Sequence, residues 1–120
     1  MEAGRELDAL VDEKIFGFSS LDLPTDRPPT ATECLNRGMM LALIPNYSTD
    51  IAAAWEVVEK MRANNFLFTI NMSDNFRWEC EFDLNDGAFL LKSDTIGFGR
   101  SETAPHAICL AALEAVGVEV

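Results

Sequence analysis

The stretch FRWECEFDL, residues 76–84, alternates strictly between apolar and polar side chains. The even positions carry Phe, Trp, Cys, Phe and Leu, whereas the odd positions carry Arg, Glu, Glu and Asp. Successive side chains of a β-strand point to opposite faces, so a run with this period predicts a strand with one buried face. Asn85-Asp86-Gly87 follows directly and predicts a tight hairpin turn, because Asp-Gly readily adopts the positive φ that such turns need.

Two further strands are predicted on either side of this one. In residues 66–72, Phe66, Phe68, Ile70 and Met72 alternate with Leu67, Thr69 and Asn71, and the turn Ser73-Asp74-Asn75 separates them from residue 76. Beyond the Asp-Gly turn, a third strand is predicted from about Ala88 to Thr95. Because consecutive strands joined by tight turns pair antiparallel, we expect a three- to four-stranded meander sheet.

The first and last segments of the chain predict helices that pack on this sheet. Residues 5–16 place apolar side chains at helical spacing, with Asp8 and Asp12 among the acids on the opposite side of the helix. Residues 104–116 predict the last helix, which has a proline in its first turn and either Thr103 or Ser101 as its cap.

The middle helix is predicted to begin after Ser48, a good N-cap residue, with Thr49 and Asp50 as additional acceptors for the free amides of the first turn. It should end near Asn64–Asn65, whose side chains compete for backbone hydrogen bonds. The face predicted to be buried comprises Ile51, Ala54, Trp55, Val58 and Met61 or Arg62.

The segment between the first two helices is the least regular part of the sequence. Residues 19–38 contain three prolines, which interrupt helices and strands alike, and predict a surface loop or an insertion. Residues 39–44 predict a short strand or a buried connector. We therefore expect a single α+β domain over residues 1–120, in the order α, loop, α, β, β, β, α.

Composition and charge exclude several classes of protein. The net charge of −11 lacks the basic face that general nucleic-acid binding needs, and we find no apolar run long enough to span a membrane. The three cysteines, Cys34, Cys80 and Cys109, suit a reducing cytoplasm, and with His106 as the single histidine they predict neither a zinc site nor any cofactor.

The most suggestive site is Gly97-Phe98-Gly99-Arg100-Ser101-Glu102-Thr103, which is predicted to join the last strand to the last helix. A helix N-terminus attracts phosphate, and glycines let the backbone approach a ligand closely. We predict the following ligand contacts: Arg100 on phosphate, Gly99, Ser101 and Thr103 around it, Phe98 on a base, and Arg77 and Asn75 as secondary contacts. The alternative is a flexible connection capped by Thr103, since the segment is neither a Walker loop nor a Rossmann fingerprint.

Other residue patterns favour structural roles over chemistry. Arg77 is expected to pair with Glu79, Glu81 or an acid on a neighbouring strand. Trp55 and Trp78 are expected to be core aromatics, and Arg37 and Arg62 are equally explained as ligand contacts or surface residues. Asp94 and Glu102 are possible acid–base partners, but such pairs arise by chance in an acidic chain. His106 has no evident nucleophile beside it, so we expect that the protein is not an enzyme.

Three blocks of the sequence resemble one known family. They are RELDALVDEKIFGF at 5–18, IPNYSTDIAAAWEVVEK at 44–60 and ETAPHAICLAAL at 102–113. They are similar to the first, central and closing helices of the small bacteriophage αβα-sandwich domain, whereas the Pro-rich segment, with Arg37, departs from the family pattern. A group with a similar architecture comprises the Thoeris anti-defence sponges, which bind and sequester the cyclic ADP-ribose signals of bacterial TIR-domain proteins.

The resemblance implies a function that the residues are compatible with. It implies a viral protein in the host bacterial cytoplasm that captures a cyclic ADP-ribose without cleaving it, as a homo-oligomer with its site near a protomer interface. Two alternatives stay open: an acidic inhibitor or DNA mimic that binds a host protein through its charged face, and a nucleotide hydrolase dependent on Asp94 or Glu102.

Overall fold

The computed structural model describes residues 1–17, 44–85 and 96–119. The predicted loop at 19–38, residues 39–43 of the predicted connector, residues 86–87 of the hairpin turn and the predicted strand at 88–95 lie outside the described residues. Cys34, Arg37 and Asp94 lie outside them as well.

The described residues form three helices and three strands. In chain order these are α1 (Arg5–Lys14), α2 (Ile51–Ala63), β1 (Phe66–Met72), β2 (Trp78–Leu84), β3 (Ile96–Ser101) and α3 (Ala104–Ala115). The strands form one sheet in the order β1-β2-β3, and both pairs are antiparallel. The predicted α+β class and antiparallel meander are confirmed.

One face of the sheet packs on helices, and we call it the inner face. Phe82 and Cys80 of β2 are buried there, opposite Phe68 of β1 and Gly99 of β3 respectively. Helix α2 packs beside β1, while α3 packs against β2, β3 and α2. The predicted alternation along β2 is therefore confirmed, except that Phe76 and Arg77 belong to the preceding turn and the strand begins at Trp78.

Residues 96–101 correct the predicted site segment. The sequence predicts a loop at 97–103, but Gly97 to Ser101 are strand residues paired with β2. The glycines are needed because α3 lies directly on them: a Cβ on Gly97 would be 2.0 Å from the Ala111 carbonyl oxygen, and one on Gly99 would be 2.2 Å from the Ala107 carbonyl oxygen. Close packing between strand and helix explains these glycines, which resembled a ligand-binding loop in the sequence.

The buried face of α2 is confirmed at Ala54, Val58 and Met61 and is wrong at Ile51 and Trp55. Ala53 and Val57 complete the buried face. Ile51 and Trp55 are 52% and 49% exposed, and the Trp55 ring meets the ring of Phe68 edge-on at 6.0 Å between centroids. Apolar residues occupy both sides of this helix, so its periodicity does not define which side faces the sheet.

The predicted cap of α2 is wrong, whereas its predicted end is confirmed. Asp50, not Ser48, is the N-cap residue, and its carboxylate accepts a hydrogen bond from the Ala52 amide at 3.2 Å. At the other end, Asn64 is the C-cap and Asn65 adopts a φ of 72°. Asn tolerates this left-handed conformation better than most residues, which suits a helix end.

A buried polar cluster joins α1 to the segment before α2. Asp8 and Asp12, predicted on the polar side of α1, are 1% and 6% exposed. One carboxylate oxygen of Asp8 accepts bonds from the Ser48 amide at 2.8 Å and the Ser48 hydroxyl at 2.6 Å. The Tyr47 hydroxyl donates to Asp12 at 3.1 Å, and the Tyr47 ring stacks on Phe16. The two acids therefore position the segment that leads into α2.

Candidate functional site

The second face of the sheet, which we call the outer face, carries the polar residues of the strands. Glu79 of β2 lies between Asn71 of β1 and Arg100 of β3 in the strand register. In the next row, Glu81 lies between Thr69 and Phe98. Since side chains alternate along a strand, Arg100 and Phe98 face away from α3, opposite to Gly97 and Gly99.

A polar hollow of about 410 Å³ opens at one end of the outer face. It is lined by Asn71 and Met72 of β1, by the turn residues Ser73, Asp74 and Asn75, and by Glu79 and Arg100. Its walls therefore come from all three strands and from the β1–β2 turn. We call it the outer hollow.

Arg100 lies on the outer hollow between a carboxylate and an aromatic ring. Its Nη2 atom is 3.2 Å from Oε2 of Glu79, and its guanidinium carbon lies 5.7 Å from the centre of the Phe98 ring. The Arg100 side chain is 52% exposed, whereas that of Glu79 is 19% exposed. The cation is therefore accessible but already paired, and an anionic ligand must compete with Glu79 for it.

The β1–β2 turn is held by its own backbone and by Ser73. The Ser73 amide donates to the Arg77 carbonyl at 2.8 Å, and its hydroxyl bonds to the Asn75 side chain. Phe76 follows with a φ of 62° and is 79% exposed. Of the two predicted secondary contacts, Asn75 lines the hollow, whereas Arg77 does not. The Nη2 atom of Arg77 is 3.9 Å from Oε1 of Glu102, so it pairs with neither Glu79 nor Glu81 there.

The remaining residues of the predicted site lie on the other side of the sheet. Gly99 packs under α3, and Ser101 is 8% exposed. Thr103 is the N-cap of α3, but its side chain makes no capping bond. Its amide instead donates to the Ser101 hydroxyl at 3.3 Å. The structure thus brings Arg100, Phe98 and Asn75 to one face and does not assemble the predicted cradle at the helix N-terminus.

Ser101 has a partner that sequence reasoning missed. Its hydroxyl lies 2.7 Å from Nδ1 of His106, and Nε2 of His106 lies 2.7 Å from the Met1 carbonyl oxygen. A carbonyl only accepts, so Nε2 donates to Met1, and in a neutral imidazole Nδ1 then accepts the Ser101 proton. In the sequence, the available signal for this contact was the spacing of five residues between Ser101 and His106 across the start of a predicted helix. Ser101 is buried and its hydroxyl accepts a hydrogen bond from the Thr103 amide. We therefore interpret the Ser101–His106 pair as a structural contact at the start of α3.

The two described thiols, Cys80 and Cys109, are buried. Burial raises the pKa of the Cys80 thiol to about 12, and burial also raises the pKa of Cys109, so both stay protonated at neutral pH.

Over residues 1–17, 44–85 and 96–119, no group of three or more His, Cys, Asp or Glu side chains could hold a metal ion. In the same residues, no helix is long and apolar enough to cross a membrane.

Fold and site together define a small α+β protein, with helices on one face of an antiparallel sheet and a polar hollow at the edge of the other face. The family described as the Phage ABA sandwich domain matches residues 9–113, which is most of the chain. The chain therefore belongs to the phage ABA sandwich family, and the predicted resemblance to this family is confirmed. No curated protein and no solved structure gives a significant match.

Proposed function

We propose that this phage protein is an anti-defence protein that captures a cyclic ADP-ribose-type signal in the outer hollow and does not cleave it. The observation that carries the proposal is the convergence of Arg100 and Asn75, both predicted as ligand contacts, on one hollow together with Asn71. The resemblance to proteins that sequester such signals supplies the class of ligand. The site of action would be the host bacterial cytoplasm.

The size and chemistry of the outer hollow suit a small polar ligand. Its volume of about 410 Å³ falls within the usual range for ligand sites, roughly 300–1,000 Å³. A guanidinium offers paired hydrogen bonds to phosphate oxygens, and the side-chain amides of Asn71 and Asn75 can each donate and accept at a base or a sugar. The ring of Phe98 stabilises the Arg100 guanidinium through a cation–π contact.

Release of Arg100 from Glu79 has a moderate cost. Exposed ion pairs contribute only about 0–1 kcal/mol, and half of the Arg100 side chain is accessible, whereas Glu79 is 19% exposed and needs a new partner when Arg100 leaves. Hydrogen bonds to charged groups contribute roughly 1.5–3 kcal/mol each. Two such bonds to one phosphate therefore outweigh the pair that they replace.

Calorimetry with the cyclic ADP-ribose isomers tests the proposal. The wild-type protein should bind at least one isomer, and the ligand recovered after heating the complex should be intact. Arg100→Ala should weaken binding at least tenfold, about 1.4 kcal/mol. Arg62→Ala is the matched control, because Arg62 is an exposed arginine that pairs with Glu59 at 3.2 Å on α2, and it should bind like the wild type.

The proposal fails if no isomer gives heat or if Arg100→Ala binds as tightly as Arg62→Ala. Recovery of cleaved ligand would indicate a hydrolase instead.

We also propose that the functional form is a homo-oligomer with the hollow near a protomer interface. The hollow is open on one side, so a second protomer could enclose a ligand that one chain leaves exposed. Sedimentation with and without the bound isomer should show an assembly larger than the 13.3 kDa chain. A monomer that keeps full affinity would contradict this part of the proposal.

A second candidate function is an acidic inhibitor or DNA mimic of a host factor. The observation that favours it is the row Glu79, Glu81 and Asp83, which follows the central strand on the outer face of a chain with net charge −11. Glu81→Gln and Asp83→Asn together should then abolish host-protein binding in a pull-down and leave nucleotide binding unchanged. Retained capture of the host protein by this variant would exclude the acidic row as the contact.

A further inference from the structure

We infer that Glu79 determines the ligand specificity of the outer hollow by accepting hydrogen bonds from a pair of sugar hydroxyls. This inference rests on the proposed function and narrows its ligand class to phosphorylated ribose with a free cis-diol. In the structure, Glu79 pairs with Arg100. In the complex, the phosphate replaces Glu79 on Arg100, and the sugar hydroxyls replace Arg100 on Glu79.

The charges that line the hollow make this exchange necessary. Among the lining residues, one cation, Arg100, faces two carboxylates, Glu79 and Asp74. A phosphate that takes Arg100 leaves Glu79 close to another anion, with only 19% of its side chain exposed to water. A carboxylate only accepts hydrogen bonds, so a ligand that brings donors beside its phosphate compensates Glu79. A bare phosphate does not.

The geometry of the sheet places the two recognition groups side by side. Glu79 and Arg100 are directly opposite each other on β2 and β3, and their charged groups are 3.2 Å apart. A ribose phosphate carries hydroxyl donors and phosphate oxygens on one small unit, so a single unit can reach both Glu79 and Arg100 once the two side chains separate. Asn71, opposite Glu79 on β1, remains for the base or the second sugar.

A matched pair of nucleotides tests the inference. ADP and 2′-deoxy-ADP carry the same charge and differ by one hydroxyl, so calorimetry with both isolates the contribution of the diol. The wild-type protein should prefer ADP by about tenfold, because a site built to bind a hydroxyl discriminates against an analogue that lacks it. Glu79→Gln should remove this preference, whatever its effect on the overall affinity.

The control is Glu81→Gln, which removes the same charge from the same face of the same strand, two residues from Glu79 and outside the residues lining the hollow. It should retain the preference for ADP.

Three outcomes overturn the inference. The first is equal binding of ADP and 2′-deoxy-ADP by the wild type, which leaves the capture of phosphate at Arg100 standing if both depend on Arg100. The second is retention of the preference for ADP by Glu79→Gln. The third is the absence of binding to either nucleotide. The proposed function is judged separately, by the titrations with cyclic ADP-ribose isomers, so the two failures are distinguishable.

Discussion

The replacement of Gly97 by Ala tests the feature that separates this fold from its sequence-based prediction. The new Cβ would lie 2.0 Å from the Ala111 carbonyl oxygen, 2.5 Å from Cβ of Ala115 and 2.6 Å from the Ala115 amide nitrogen. Two of these three atoms belong to the backbone of α3, so no side-chain rotation relieves the clash. Either α3 or β3 must move by more than about 1 Å to restore ordinary contacts of roughly 3.5 Å.

The expected loss of stability follows from that displacement. Overpacking of a core costs typically 1–3 kcal/mol and sometimes more, and here the helix that must move packs on β2, β3 and α2. We therefore expect Gly97→Ala to lower the free energy of unfolding by about 3 kcal/mol or more. This is a large fraction of the 5–15 kcal/mol that is typical of domains.

Urea unfolding followed by tryptophan fluorescence measures the effect. Gly117→Ala is the control, because Gly117 follows the same helix and has no atom within 4 Å of an added Cβ. Because φ is 87° at Gly117, an alanine there should cost only the backbone strain of about 1–2 kcal/mol. If Gly97→Ala is no more destabilising than Gly117→Ala, then α3 does not lie on β3 as described, and residues 97–103 could form the predicted loop after all.

Two further predictions concern single side chains. Burial raises the pKa of Asp12 above its ordinary value of 3.8, so the folded protein loses stability as pH rises through the folded pKa of this group. Asp12→Asn should keep the acceptor for Tyr47, stabilise the protein at pH 7 by removing the charge that burial disfavours, and give no gain at pH 3, below the ordinary pKa of 3.8. Unfolding at both pH values checks this, and an equal effect at both would refute the role of charge. Phe76→Gly should be more stable than Phe76→Ala by roughly 0.5–1 kcal/mol, because φ is positive there and the ring is exposed. Equal melting temperatures of the two variants would contradict a positive φ at residue 76.

The candidate site was only partly predictable from the sequence. Arg100, Phe98 and Asn75 were identified because their side chains suit phosphate and base recognition, and the structure places all three on the outer-face side of the sheet or at its edge. The partnership of Arg100 with Glu79 joins residues 21 positions apart. It depends on the register of β2 and β3, and the sequence predicts neither that register nor the position of β3.

The buried polar cluster of α1 shows the same limit. Asp8 and Asp12 fall on the polar side of an amphipathic pattern, so periodicity predicts exposure. They are buried because Ser48 and Tyr47, about 35 to 40 residues away in the chain, supply hydrogen-bond donors. A pattern that records only polarity does not contain the positions of such partners.

Local patterns in the sequence alone determined the class of fold, the strand β2 with its buried face, the end of α2 and the family, because alternation, helix-end residues and composition act over a few neighbouring residues. The tertiary structure decided that Ile51 and Trp55 of α2 are exposed, that Gly97 to Ser101 form a strand under α3, and that Arg100 meets Glu79 beside a hollow. Each of these depends on atoms that are distant in the chain and are brought within a few ångströms only when the sheet and the helices pack together.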